Sequence, residues 1–426
     1  MQRHPYDLIP ELAGLATYAD AARIGYSVDE NVQRLLRYHW IERRLMATLV
    51  ARLTGEPIWE LKCAFALHQW LHAEHVDALR ERISEMRNPV PSLDTSPDPG
   101  IDALLDDVFG EARTSRELVA AVYDVAYPAL AADYREHLAT INPLVDHPTR
   151  RILRSALADL EEGMAWGARA LDALAGAVSA ERAPSPSPSF HPRRDERFHG
   201  LYNFDFPPHV VYNAHGIPAD ERNLALLCKR TLEMDVPEMM ASFMTERVDQ
   251  PWEFYRDYSR QLWDEARHAM MGSVALEARG IDWKREIPLN VSFALRLNLH
   301  AKPVERQMML FAIEQSLMPA DTGKRFEYET ARAAGDELSA HFHDYDWADE
   351  VLHSQIGRRA LKREGITSEE ARGRAVGVHE KTWAALDRYR HLDAQQAWWG
   401  PFVRKALGHE SAVGDADLGP INIFSE

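Results

Sequence analysis

The sequence predicts an all-α fold. Hydrophobic residues recur with a helical period in nine segments, strand-like alternation is absent, and Pro, Gly, Asn and Asp cluster in the gaps. At 426 residues the chain suggests two or three domains, or one long helical pair, with ample material for a core. In the first half the spacing predicts helices over 29–53, 58–87, 101–140 and 149–178. The stretch 182–199 alternates Pro and Ser without hydrophobic period and reads as an extended linker. Beyond it, helices are expected over 219–247, 251–279, 289–334 and 337–363. Turns between them are signalled by Asp249-Gln250-Pro251-Trp252, by the breaker-rich stretch Gly280 to Pro288 and by Gly335. A last charged helix, 367–391, opens with Thr367-x-x-Glu370, a capping-box pattern. The expected organisation is a helical domain over 1–181, the linker 182–199, and a second helical domain with a C-terminal extension over 200–426. Trp398-Trp399 and the Gly/Asp-rich tail after Ala406 follow, to dock on the chain's own surface or on a partner.

Composition narrows the function. A hydrophobic content of 46% is that of an ordinary soluble protein, and a formal charge of -17 argues against nucleic acid or an anionic membrane as partner. Cys63 and Cys228 are too few for a disulfide framework or a thiolate metal cage. The N-terminus is polar and proline-broken, unlike a signal peptide, and the longest apolar run, 118–132, contains Asp124 and Pro128 and is too short to span a bilayer. A cytoplasmic location is the expectation.

The two halves read as copies. An offset of 191 maps Glu233 to Glu42, Glu265 to Glu74, His268 to Asp77 and Glu314 to Tyr123, and carries Pro319-Ala320 onto Pro128-Ala129. For the last helix an offset of 190 places Leu160 and Gly163 at Glu350 and His353, whereas 191 gives Asp159 and Glu162. The first copy therefore lacks the Glu314 equivalent and the second histidine, and reads as a degenerate repeat, the pseudo-dimer partner of the second. A rival reading has it bind something else, since His68, His72 and His75 crowd one helix beside Glu74.

The chemistry concentrates in two copies of Asp-Glu-x-x-His, at 264–268 and 349–353. On a helix, residues three apart share a face, so Glu265 points with His268 and Glu350 with His353. Lone glutamates, Glu233 and Glu314, fall on two further helices. From Glu233 to Glu265 is 32 residues and from Glu314 to Glu350 is 36, each with a turn signal near its midpoint. An out-and-back helical path then returns the second ligand to the level of the first. A glutamate from each of two helices plus a Glu-x-x-His pair from each of two others is what a four-helix bundle needs to hold two metal ions. Carboxylate and imidazole ligands suit iron or manganese, and four carboxylates offset two divalent ions. Asp264 and Asp349 are expected to accept the distal N–H of the histidine on the opposite hairpin. Pro237, four residues after Glu233, removes a helical N–H and should kink that helix. Phe311, Leu317, Met318 and Trp347 offer an apolar wall that is more often core than substrate contact.

On these motifs, 224–361 resembles the ferritin-like superfamily of di-iron carboxylate proteins, and Asp264-Glu265-Ala266-Arg267-His268 is similar to its oxygen-activating branch. The resemblance implies that Glu233, Glu265, His268, Glu314, Glu350 and His353 bind two irons, or a manganese/iron pair. It further implies that O2 is activated to hydroxylate, desaturate or N-oxidise a small organic substrate. The first domain would then be a degenerate ferritin-like bundle. Ribonucleotide reductase small subunits usually carry Asp as first ligand and a Tyr four residues after the first His, where this chain has Glu233 and Gly272. N-oxygenases add a third histidine, for which His341 and His343 are the nearby candidates. No flavin or nicotinamide motif is evident, so electrons are expected from a separate reductase or the substrate. Rival expectations are a ferroxidase or iron-handling protein, and a non-catalytic scaffold with a structural metal pair. A homo-oligomer is compatible with either.

Overall fold

The computed structural model describes residues 4–110, 112–176, 191–204, 206–319, 321–392 and 397–413. Among these the secondary structure is helical, with no strand; an isolated antiparallel bridge joins Tyr202 and Asn290. No helix is long and apolar enough to cross a membrane. The contacts divide the chain into two compact units: Met1–Thr48 with His68–Pro186, and Leu49–Leu67 with Ser187–Glu426.

Apart from four-residue turns, the helices at the first unit are α1 Val28–Leu53, α2 Trp59–Met86, α3 Pro99–Gly110, α4 Ser115–Val119, α5 Tyr127–Thr140 and α6 His147–Ala175. The expected single helix 101–140 is thus interrupted. Thr114 starts α4 with a reciprocal capping box to Glu117, and a π-helical turn, Ala120–Ala126, joins α4 to α5. Pro128 follows that turn and lies in the first turn of α5, where its missing N–H does little harm. Leu35, Leu45, Leu118, Val122, Tyr134 and Leu153 are fully or almost fully buried here and form the apolar interior.

The second unit contains α7 Ala219–Thr231, α8 Asp235–Glu246, α9 Trp252–Glu277, α10 Ser292–His300, α11 Pro303–Ser316, α12 Lys324–Ala333, α13 Glu337–Arg363, α14 Ser368–Ala385 and α15 Trp399–Leu407. Two departures from the sequence reading matter. The helix expected over 219–247 changes to a 3₁₀ turn at Leu232–Met234, as the proline at 237 requires. The helix expected over 289–334 is three helices, α10 to α12, because Pro303 starts a new helix and Gly323 folds back onto the carbonyls of Leu317 and Pro319. The simple hairpin expected from Glu314 to Glu350 therefore has an extra helix, α12, inserted in it, and α12 brings its own side chains inward. Gly335 closes the α12–α13 turn at φ 71, a left-handed conformation that favours glycine. Thr367 caps α14 by accepting from the Glu370 amide at 3.1 Å.

The expected linker is corrected in part. Residues 177–190 lie outside those described, but 191–199 pack into the second unit rather than running free. Arg194 is buried and reaches Glu238 at 2.5 Å, while Phe198 packs edge-on to Trp283. The segment Leu49–Leu67, placed by the sequence reading in the first domain, also belongs to this unit. Its Lys62 ammonium is fully buried and contacts Glu238 at 2.5 Å and the carbonyls of Leu53 and Thr54 at 2.7 and 2.9 Å. Trp399 is buried with its indole N–H donated to Glu221, so this part of the C-terminal extension docks on the chain itself.

Lys62→Met removes one cation from the buried carboxylate of Glu238. The expected cost is ~3–5 kcal/mol, as for breaking a buried ion pair, read from urea unfolding. A loss below ~1 kcal/mol, the range of a solvated pair, would contradict this account.

Candidate metal centre

Five helices of the second unit supply the site. Glu265 and His268 come from α9, Glu314 from the last turn of α11, Glu350 and His353 from α13, and Glu233 from the 3₁₀ turn after α7. The fifth, α12, contributes Lys324 and Glu327. Gly272 lets α9 approach α7 closely, since a Cβ there would stand 3.0 Å from the Cβ of Arg230.

The six sequence-predicted ligands fall into two groups. Glu265, Glu314, Glu350 and His353 bring ligand atoms within 4.8 Å of one another, all buried. The Nδ1 atom of His353 lies 3.2 Å from both Glu265 and Glu350. Glu314 accepts from the Gln261 side-chain amide at 2.9 Å through one oxygen, while its other oxygen is buried and receives no hydrogen bond. Burial and the neighbouring carboxylates of Glu350 and Glu265 push the Glu314 carboxyl well above its ordinary range. Three buried carboxylates around an inward imidazole nitrogen are a setting that a divalent cation satisfies. The residues of this group fit a metal ion.

Glu233 and His268 join a different partner, Asp346, which the sequence reading missed. Asp346, Glu350 and His353 follow at i, i+4 and i+7 on α13, one helix face, so the signal was present. The Nδ1 atom of His268 is 3.0 Å from Asp346 but lacks hydrogen-bond alignment, leaving it as an inward-facing orphan. Into this second group the chain inserts its own cations. The Lys324 ammonium lies 2.8 Å from Asp346, 3.1 Å from Glu350 and 3.6 Å from Glu233. Arg230 reaches Asp346 at 2.6 Å, Glu327 at 3.2 Å and Glu233 at 3.4 Å. Burial opposes the charge on Lys324, but Asp346, Glu233 and Glu350 outweigh it and hold the ammonium protonated well above its ordinary range. The second group is thus already neutralised by Lys324 and Arg230, whereas in the first, burial and like-charged neighbours favour the protonated form of Glu314.

The outer partners are specific. Asp264 lies 3.3 Å from the Nε2 atom of His353, and Asp349 lies 3.1 Å from the Nε2 atom of His268, each aspartate serving the histidine of the other helix. Arg267 bridges Asp264 and Asp349 at 2.6 Å to each, which fixes both carboxylates. With carboxylates at both of its nitrogens, His268 is raised to about 10: burial works against the charge, and Asp346 and Asp349 override it. Of the two histidines considered beyond the motif, His343 is buried with Nδ1 2.6 Å from Arg230, and His341 is exposed. Glu327, His343 and Asp346 form a further close group. Phe311 is core, packed with Met308 and Leu361, whereas Leu317, Met318 and Trp347 are half-buried.

Lys324→Met leaves Asp346, Glu350 and Glu233 short of a cation. The metal-free variant is expected to lose ~3–5 kcal/mol of unfolding free energy. Millimolar Mn(II) is expected to restore most of that loss, since an ion that binds only the folded chain stabilises it. A variant as stable as the parent without metal would show that the ammonium does not neutralise this group. No family model, curated protein or solved structure matches the chain.

Proposed function

We propose that the second unit is a non-haem metal oxidoreductase that uses O2 to oxidise a small organic substrate, drawing electrons from a separate donor or from the substrate. The observation that carries this reading is the convergence of Glu265, Glu314, Glu350 and His353, all buried, at one place. Carboxylate and imidazole ligands of this kind suit iron or manganese, which supply the redox chemistry with O2 when bound. The resemblance of the motifs to di-iron carboxylate proteins of the oxygen-activating branch belongs to the same proposal.

The chain's own residues have separable roles in it. Glu265, Glu314, Glu350 and His353 hold the first ion, and Glu233, His268 and Asp346 are the ligands available to a second. Gln261 orients Glu314, while Asp264 and Asp349 set which imidazole nitrogen faces inward. Lys324 distinguishes the two places: a second ion must displace its ammonium from Asp346 and Glu350. A specific alternative follows, in which the centre works with one ion and Lys324 keeps the other place filled.

Binding also competes with protons. Burial and like-charged neighbours keep a proton on Glu314, and neighbouring carboxylates keep one on the inner nitrogen of His353 against the effect of burial. Glu314 and His353 would have to give up these protons to hold an ion, so affinity should rise with pH, and unbuffered protein should acidify on addition of metal. A pH-independent affinity between pH 6 and pH 8, roughly the range in which the folded centre would be studied, would contradict this assignment.

The direct test is anaerobic Fe(II) loading, elemental analysis and then admission of O2. The parent is expected to retain iron and consume O2, and Glu314→Ala to lose most of both. Iron retained by Glu314→Ala at the parent level would refute the site. A gain of a further ion in Lys324→Met over the parent favours the single-ion reading for the native chain. Equal loading at about two ions in both favours the dinuclear one.

A further inference from the structure

The first unit contains a second convergence of metal-binding side chains, separate from the centre described above. It is built on Glu42 of α1 and His72 and His75 of α2. The histidines are three apart and share a face of α2. Their Nδ1 atoms meet the same atom, Oε2 of Glu42: His72 in direct hydrogen-bond contact and His75 at 3.2 Å. All three side chains are buried.

The outward nitrogens are each held as well. The Nε2 atom of His72 meets the Tyr127 hydroxyl at 2.7 Å, and that of His75 meets Asp159 at 3.0 Å. The other oxygen of Glu42 accepts from the Tyr134 hydroxyl at 2.6 Å. Each imidazole thus directs one nitrogen to a common interior point and fixes the other on an oxygen, the arrangement that orients metal-bound histidines. The surroundings are shaped to admit these partners. Gly163 of α6 leaves room for the Tyr127 ring, since a Cβ there would stand 2.6 Å from Tyr127 Cε2. Gly167 does the same for Tyr123, which sits in the π-helical turn and bonds His68 at 2.7 Å. Such turns are frequent at functional sites.

This cluster follows the repeat register expected from the sequence only in part: Glu42 stands at the counterpart of Glu233, but the two histidines have no counterpart among the ligands of the second half. The counterpart of Glu265 by that register, Glu74, is exposed, and α2 turns His72 and His75 inward instead. At the ambiguous last helix it is Asp159 that reaches the cluster, while Leu160 and Gly163 are buried without a polar role.

We propose that the first unit binds one divalent first-row transition-metal ion through Glu42, His72 and His75. Two imidazoles and a carboxylate suit iron, manganese, cobalt or zinc. The carboxylates of Glu42 and Asp159 together offset the charge of such an ion, which makes its burial tolerable. This site is independent of the proposed oxidoreductase centre and of that reading.

The test uses the full chain with the second unit's centre disabled by Glu265→Ala/Glu314→Ala. Loaded with Co(II) and desalted, this protein is expected to retain about one cobalt ion, with the visible absorption of low-coordinate Co(II) bound by nitrogen and oxygen. Adding His72→Gln/His75→Gln should reduce retention at least tenfold while circular dichroism stays helical. Absence of cobalt from the disabled parent, or retention unchanged by the histidine substitutions, would overturn the proposal. Should the quadruple variant fail to fold, crystals of the cobalt-loaded disabled parent decide instead. An anomalous peak at coordination distance from Glu42, His72 and His75 supports the site, and its absence refutes it. Loss of iron from the second unit alone would not alter these outcomes.

Discussion

Charge neutralisation of buried carboxylates governs the second unit. Glu265, Glu314, Glu350 and Asp346 are buried together, and isolated carboxylates cannot be held in such a place. The chain meets the requirement in two ways. Around Asp346 it supplies Lys324 and Arg230; at Glu314, burial beside Glu350 and Glu265 favours the protonated carboxyl instead. Helix packing follows from this division. Gly272 brings α9 against Arg230, and the extra helix α12 exists in the right place to deliver Lys324. The same rule operates away from the centre, where Glu238 is held by Lys62 and Arg194. That pairing ties the 49–67 segment and residues 191–199 into the second unit.

Much of the candidate centre was legible because helix geometry is simple. Pairs three apart must share a face, so Glu265 with His268 and Glu350 with His353 could be read directly, as could the opposed aspartates. The lone glutamates were legible from hairpin spacing, although the path from Glu314 to Glu350 proved less direct than the spacing suggested. Asp346 obeyed the same periodicity and was passed over because Asp349, in the doubled motif, drew the reading away from it. Lys324, Arg230 and Glu327 were not legible. A charged residue on a helix usually faces solvent, and only the inserted helix turns Lys324 inward. That insertion depends on Pro303 and Gly323, whose effect on a long periodic segment is hard to weigh against the period itself.

The first unit shows the opposite balance. The crowding of His68, His72 and His75 was visible, but the repeat register directed attention to Glu74, which faces solvent. Register arguments assume that equivalent positions keep equivalent faces. The π-helical turn at Ala120–Ala126 and the glycines of α6 create room for tyrosines that no pattern in the chain announces. The all-α class itself was fully legible, since periodicity and breakers agree along most of the chain.

The lysine in the centre has a consequence for how the protein is made. The Lys324 amide donates to the Leu317 carbonyl at 3.0 Å, which holds the start of α12 where its ammonium meets Asp346 and Glu350. A newly synthesised chain carrying that resident cation can complete its interior before any ion arrives. Completion of the interior then need not wait for an ion, unlike the small zinc domains whose folding waits for the metal.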